Sequence, residues 1–183
     1  LWDIDTSLGE YIIPFDNSST NPHFLFDTCG TFDITLYLYE LPLNMNTSCN
    51  DSITKQINVF CNPEADFNHN PVCEGNPTIF TSTSNVSSFN SAQIIDWNWS
   101  FSNNNNNTVQ FTYPSCGNYT ESLIITDLNG CKDTITDTTI TVFCNPIADF
   151  NVNPACYDDQ PIEFNNGSND GSAPINYWEW TIT

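Results

Sequence analysis

The order of apolar and polar residues along the chain predicts short β-strands. Residues 32–38 alternate Phe, Ile, Leu and Leu with Asp, Thr and Tyr. This period of two is typical of a strand with one buried face. Residues 119–125 repeat the alternation, except that Glu121 is polar where an apolar side chain is expected. Because turn signals separate such runs and no helical period is present, we predict an all-β fold, an antiparallel β-sandwich.

The chain contains an internal repeat. Residues 61–80 and 144–164 share the frame C-N-P-x-A-D-F-N-x-N-P-x-C, followed by Pro and Phe, and their cysteines are offset by 83 residues. A second block runs over 29–61 and again over 116–144. It begins with Cys-Gly and an alternating strand, continues with Cys-x-Asp-Ser/Thr-Ile, and closes on Val-Phe-Cys. Identities in the same order at two places indicate one structural unit used repeatedly.

Only one copy of the repeat is complete. We predict that residues 61–143 form the complete repeat, that residues 1–60 (the first part) are the back of a repeat, and that residues 144–183 (the last part) are the front of a further one. The last part has 40 residues, too few to bury a core alone. Its exposed strand edges would be templates for a partner. We therefore expect the last part to be completed by residues 1–60 of a neighbouring copy.

Tryptophans mark one strand of the repeat. Trp97 and Trp99 lie two residues apart, as do Trp178 and Trp180, so each pair faces one side of a strand. The segment beginning at Trp2 is similar, but Trp2 stands ten residues further from its Cys-Gly than Trp99 does. The sequence therefore does not establish that Trp2 belongs to the same strand.

Composition narrows the class of protein. Eight cysteines in a 20.6 kDa chain indicate an oxidising compartment, and the absence of a C-x₂-C pair argues against zinc. The 22 acidic and two basic residues give a net charge of −20, which repels nucleic-acid phosphates and disfavours anionic lipid. No apolar run approaches the roughly 20 residues that span a bilayer. We expect neither nucleic-acid binding nor membrane insertion.

No group of residues predicts catalysis. His23 and His69 are the only near-neutral bases, and Val152 replaces His69 in the other copy of the repeat. No serine, threonine or carboxylate pair has a recognised catalytic spacing. Calcium could bind Asp127, Asp133 and Asp158-Asp159, but no EF-hand spacing is present. We therefore expect a protein that is not an enzyme and has no cofactor.

The motifs resemble those of a known family, the PKD (polycystic kidney disease) domains. The segments concerned are Ala65-Asp66-Phe67, Val72 to Phe80, Trp97 to Phe101, Cys116 to Tyr119 and Asn129 to Asp133. They are most similar to the tandem, cysteine-bearing repeats of large surface and secreted proteins of gliding bacteria. The chain departs from the family's W-x-W-D-F-G-D-G motif, because Phe101 runs into Ser102 and five asparagines. The resemblance implies an immunoglobulin-like sandwich, an extracellular or cell-surface location and an adhesive or spacer role.

The same resemblance suggests a disulfide pattern. The immunoglobulin-like strand order places Cys73 and Cys116 at one pole and Cys61 and Cys131 at the other, so we predict Cys73–Cys116 and Cys61–Cys131. An alternative with Cys73–Cys131 and Cys116–Cys144 stays open, since connectivity cannot be deduced from sequence.

The rule extends to the two incomplete parts of the chain. Their cysteines would pair between neighbouring copies, as Cys29–Cys156 and Cys49–Cys144.

Glycosylation candidates fall into two groups. Relatives of this kind glycosylate the hydroxyl in Asp-Ser/Thr-apolar, which points to Ser52, Thr134 and, less closely, Thr138. Eight N-x-S/T sequons occur as well, only slightly more than chance would produce. They begin at Asn17, Asn46, Asn50, Asn85, Asn98, Asn106, Asn118 and Asn166.

Two functions follow from these patterns. We predict a structural protein of an extracellular filament or adhesin stalk, a glycoprotein whose partners are copies of itself, joined head to tail, and surface glycans. The alternative is a carbohydrate- or protein-binding accessory module of a secreted enzyme. In either case we expect the tryptophans to be buried in the core rather than exposed for sugar stacking.

Overall fold

A computed structural model describes residues 1–11, 16–40, 49–86, 92–157 and 161–183, with every side chain except those of Thr6, Tyr11 and Thr138. Strands dominate these residues, and no α-helix occurs among them. The expected all-β fold is confirmed. In the part of the chain described, no helix is long and apolar enough to cross a membrane.

Fourteen strands and one 3₁₀ turn make up the secondary structure of the described residues. They are β1 (Trp2–Asp3), the 3₁₀ turn (Thr6–Leu8), β2 (Gly9–Tyr11), β3 (Phe24–Phe26), β4 (Gly30–Tyr39), β5 (Asn50–Val59), β6 (Phe67–His69), β7 (Val72–Cys73), β8 (Pro77–Ser82), β9 (Ile94–Trp99), β10 (Thr108–Thr112), β11 (Gly117–Asp127), β12 (Lys132–Phe143), β13 (Phe150–Val152) and β14 (Phe164–Asn166).

The chain forms two compact units. The first comprises Leu1–Glu64, Val86–Ile95 and Thr126–Lys132, and the second comprises Ala65–Asn85, Asp96–Ile125 and Asp133–Thr183. The division into three sequence parts made above stays a prediction.

A β-sandwich occupies much of the second unit. One sheet has the strand order β10-β8-β6, and the other has the order β7-β12-β11-β9. Both neighbours of β8 run antiparallel to it, whereas β7 runs parallel to β12. Apolar side chains from the two sheets meet between them, as the period of two in β11 predicts. The largest that are fully buried are Phe80, Trp99, Leu123, Ile125 and Ile140.

Three aromatic rings, Phe67, Phe80 and Trp99, form what we call the core triad. The ring centroids are 6.1 Å apart for Phe67–Phe80, 5.4 Å for Phe67–Trp99 and 5.9 Å for Phe80–Trp99. All three are buried. Because Phe67 and Phe80 belong to one sheet and Trp99 to the other, the triad joins the two layers of the sandwich.

Glu121, the polar interruption in the pattern of β11, accepts hydrogen bonds from two side chains. The hydroxyl of the buried Tyr113 donates to Glu121 Oε1 at 3.1 Å, and the Ser100 hydroxyl donates to Oε2. Burial of the phenol, together with the adjacent Glu121 charge, raises the pKa of Tyr113. In the first part the corresponding residues are Phe26 and Ile34, so an apolar pair replaces the hydrogen-bonded one.

The first unit contains the counterpart of the β11–β12 hairpin. β4 and β5 pair antiparallel along ten residues, from Gly30↔Val59 to Tyr39↔Asn50. β1 adds to the other edge of β4, and β2 pairs with β3 in a separate two-stranded sheet. In the part of the chain described, β5 is therefore an edge strand, whereas its counterpart β12 lies between β7 and β11.

Exchanging the Tyr113–Glu121 pair for its first-part equivalent tests this account. We expect Glu121→Ile to destabilise the protein by about 1–3 kcal/mol, because the buried Tyr113 hydroxyl loses its acceptor. In a Tyr113→Phe background the same substitution should cost much less. Urea unfolding of the four proteins in a double-mutant cycle measures the coupling. If the two substitutions change the free energy of unfolding strictly additively, the Tyr113–Glu121 hydrogen bond does not account for the contribution of Glu121 to stability.

Candidate assembly interface

The last part builds a second copy of the core triad. Strands β13 and β14 pair antiparallel, with Val152 opposite Phe164, as β6 and β8 do in the complete repeat. Here the centroids of Phe150–Phe164 lie 6.2 Å apart, those of Phe150–Trp180 5.3 Å and those of Phe164–Trp180 5.8 Å. Each distance is within 0.1 Å of its core-triad equivalent. We call these three residues the open triad.

The two triads differ in their contact with solvent. In chain order, the core triad residues are 8%, 0% and 2% exposed, whereas the open triad residues are 51%, 43% and 50% exposed. The open triad also lines a cavity of about 640 Å³ with Ile175, Tyr177 and Ile182. Soluble domains rarely expose a contiguous apolar patch without a use for it. The expectation that the tryptophans are buried thus holds for Trp99 and is wrong for Trp180.

The first part exposes the complementary apolar face. In the complete repeat, Ile125 of β11 and Ile140 of β12 are fully buried over the sandwich core. The residues at the same positions of the repeat are Leu38 in β4 and Ile57 in β5, which are 55% and 37% exposed. The hairpin β4–β5 therefore carries apolar side chains where the complete repeat buries them against a second sheet, but here these side chains are exposed.

A strand edge shows the same complementarity. β7 adds to β12 in parallel, with Phe143 opposite Cys73. The residues equivalent to β7 in the last part, Ala155 and Cys156, form no strand. The residues equivalent to the end of β12 lie in the edge strand β5 and just beyond it. The segment equivalent to β7 and a strand edge equivalent to the one that β7 joins are thus both present, in different parts of the chain.

Two disulfides are present, Cys29–Cys61 and Cys116–Cys144. They occupy equivalent positions, with Cα–Cα distances of 4.9 and 4.8 Å. Each closes the open end of a hairpin. In the first hairpin Gly30 lies opposite Val59, Cys29 directly precedes Gly30, and Cys61 follows Val59 by two residues. Each also crosses a boundary of the predicted repeat, since Cys61 and Cys144 begin the next copy of the frame.

Four predicted disulfides are wrong, because each requires a cysteine that is bonded elsewhere. For Cys73–Cys116 the strand order supplies the reason. β7 and β11 flank β12 on opposite edges, so Cys73 and Cys116 are separated by two strand spacings, about 9.5 Å, beyond the roughly 6.8 Å that a disulfide spans. Cys61–Cys131 fails because Cys61 is bonded to Cys29 across the hairpin end.

The predicted links between copies fail for the same reason. Cys29–Cys156 and Cys49–Cys144 would need Cys29 and Cys144, which are both bonded within the chain.

The alternative pattern was half right. Cys116–Cys144 forms, but Cys73 and Cys131 are both free. Cys73 is paired opposite one end of β12, and Cys131 directly precedes the other end. A strand of twelve residues stands between them, so a direct bond is not possible.

The sequence of the repeat contains a pattern that indicates the observed disulfide pairing. Cys-Gly opens each hairpin and Val-Phe-Cys closes it, with cysteine separations of 32 and 28 residues. Two cysteines that flank a predicted hairpin at its open end are near each other whatever the strand order. The predicted poles of the sandwich did not indicate which strands are adjacent.

Most glycosylation candidates lie on the surface. The side chains of Ser52 and Thr134 are exposed at equivalent positions in β5 and β12. Asn46 and the side chain of Thr138 lie outside the described residues. The remaining sequons are exposed at Asn17, Asn50, Asn85, Asn98, Asn106, Asn118 and Asn166.

The candidate calcium ligands that are described bind backbone instead. Asp127 is buried and accepts hydrogen bonds from the amides of Asn129 and Cys131, which holds the turn between β11 and β12. Asp133 accepts from the Ala65 amide at 2.8 Å. Asp158-Asp159 lies outside the described residues. Among those described, no three His, Cys, Asp or Glu side chains converge on one point.

Comparison with known proteins agrees with the repeat frame. Residues 61–142 match a family model described as PKD domain. No curated protein matches the chain.

Disulfide mapping tests the corrected pairing. We expect peptic digestion without reductant to yield cross-linked peptides containing Cys29–Cys61 and Cys116–Cys144. The four free thiols should react with an alkylating agent; they are Cys49, Cys73, Cys131 and Cys156. A denaturing gel should show the single-chain mass with and without reductant. Removing Cys116–Cys144 by a double alanine substitution should cost about 3–4 kcal/mol of stability in the chain-entropy model. Recovery of a Cys73–Cys116 peptide, or a ladder that reductant collapses, would contradict this pairing.

Proposed function

We propose, since residues 61–142 match the family model of the PKD domain, that the chain is the structural subunit of an extracellular filament or adhesin stalk. PKD domains are generally non-catalytic binding or structural modules, and with disulfides they are typical of extracellular or surface proteins. In the proposed assembly, residues 1–60 of one copy complete residues 144–183 of the next. The observation that supports this most directly is the open triad, which has core geometry but is half exposed.

Burial of the open triad would supply much of the driving force. If assembly removed about 100 Å² of each ring from water, the three rings would contribute roughly 7 kcal/mol. Association itself costs about 4–15 kcal/mol. The triad alone therefore does not hold two copies together firmly. The apolar face of the β4–β5 hairpin, which includes Leu38 and Ile57, has to be buried in the same contact.

The contact is directional. The hairpin and the open triad are different surfaces of one chain, so each copy offers one of each. Head-to-tail contacts of this kind propagate into open filaments unless the rotation between subunits closes a ring. Cys29 and Cys144, which the predicted links between copies would require, are bonded within the chain, so we propose a non-covalent contact made by apolar burial and strand pairing.

Charge shapes the conditions for assembly. Each copy carries a net charge of −20, so neighbouring copies repel one another at low ionic strength. Added salt screens this repulsion, while apolar burial is retained. Assembly that strengthens as salt rises is therefore expected, in contrast to an interface held together by ion pairs.

We also propose that the assembled surface is glycosylated at Ser52 and Thr134. Both hydroxyls face solvent at equivalent positions of the repeat. A glycan on either residue would lie on the outer side of a hairpin, away from the apolar face that includes Ile57 and Ile140.

Mixing two variants tests the head-to-tail contact. Trp180→Ala removes the largest ring of the open triad, and Ile57→Asp places a charge on the hairpin face. We expect each variant alone to be monomeric in light scattering at concentrations where the unmodified chain forms long assemblies. A mixture of the two should form dimers only, because each dimer has one intact contact.

Leu128→Ala is the control. Leu128 is an exposed apolar side chain in the turn between β11 and β12 and belongs neither to the last part of the chain nor to the β4–β5 hairpin, so this variant should assemble normally. An unmodified chain that stays monomeric at high concentration and high salt would overturn the proposal. Polysaccharide binding by such a monomer, lost on Trp180→Ala, would instead favour the accessory-module alternative.

A further inference from the structure

The first part contains its own version of the tryptophan strand. β1 pairs antiparallel with β4, with Trp2 opposite Leu36 and Asp3 opposite Thr35. The Trp2 indole N–H donates to the Ser19 carbonyl at 2.8 Å. Trp2 is half-buried.

These contacts match those of Trp99 in the complete repeat. The Trp99 indole donates to the Asn106 carbonyl at 3.0 Å. Asn106 stands ten residues before Cys116, as Ser19 stands ten residues before Cys29. Ser100, the residue after Trp99, bonds the carbonyl of Ser122, the β11 residue equivalent to Thr35. The structure thus settles the equivalence that the sequence left open, and the ten additional residues fall between Trp2 and Ser19.

Trp180 has the same place in the repeat. In the open triad it stands where Trp99 stands in the core triad. Both Trp2 and Trp180 begin a Trp-x-Ile segment, with Ile4 and Ile182 two residues later. The proposed assembly would therefore bring two tryptophan strands, one from each copy, to a repeat that has room for one.

We infer that Trp2–Asp3 occupies, within one chain, the position beside β4 that the neighbouring copy's Trp180 strand takes on assembly. This inference rests on the proposed head-to-tail contact. The amino-terminal strand is then a built-in competitor, and assembly requires its displacement.

The two competitors differ in length and in concentration. β1 pairs with β4 over two residues, whereas β9, the equivalent strand of the complete repeat, has six. The segment Ile175 to Trp180 has the corresponding six residues and forms no strand of its own. The internal strand has the advantage of a tether, which acts as a local concentration of about millimolar. At low protein concentration the internal strand therefore holds the site, and at high concentration the neighbour's longer strand replaces it.

The experiment compares the assembly of the 183-residue chain with that of its Trp2→Ala variant, by light scattering across a concentration series. If the internal strand leaves the site open in one molecule in ten, its removal lowers the concentration needed for assembly about tenfold. Hydrogen exchange followed by mass spectrometry reports the displacement itself. On assembly of the unmodified chain, residues 1–5 should lose protection and residues 175–180 should gain it.

The double variant Trp2→Ala/Trp180→Ala separates a specific gain from simple misfolding. It should not assemble, because the gain depends on Trp180, whereas aggregation of a misfolded first part would persist in it. Equal assembly of the unmodified chain and Trp2→Ala, with residues 1–5 still protected, would overturn this inference and leave the proposed function standing. Failure of both proteins to assemble would overturn the proposed function, and the inference with it.

Discussion

Burial of the Phe-Phe-Trp core depends on two sheets that come from different stretches of each repeat. Phe67 and Phe80 belong to the sheet of β8, and Trp99 belongs to the sheet of β11 and β12. Each sheet alone presents an apolar face to water, which is unfavourable in proportion to its area. This constraint explains why the complete repeat is well buried, and why the same side chains are exposed wherever only one stretch of the repeat is present.

Because the chain contains an internal repeat, equivalent positions of the repeat can be compared within one molecule. The open triad has the ring spacing of the core triad without a covering hairpin, so this spacing does not require that layer. Likewise, Phe26 and Ile34 stand where Tyr113 and Glu121 form a hydrogen bond. One backbone position accepts either an apolar pair or a satisfied polar pair, and only a mixed pair would leave a buried group without a partner.

The strands were accessible from sequence, because alternation of apolar and polar residues is a local signal. Residues 32–38 and 119–125 showed their buried face directly. The disulfides were not accessible in this way, since pairing depends on which strands are adjacent, and Cys73 is kept from Cys116 by a single intervening strand. The position of Trp2 was obscured by its loop of additional residues, which broke the spacing but left its indole hydrogen bond intact.

The bond between Cys116 and Cys144 also has a mechanical consequence. A stalk or filament is loaded along its length, and tension reaching Cys144 from the following residues can pass through the sulfur bridge to Cys116. The residues between them, within a sequence separation of 28, then carry no load. The hairpin therefore cannot extend under load. A repeat that unfolds lengthens by roughly 90 Å less than it would without the disulfide. A fibre of these units would stretch less before it resists.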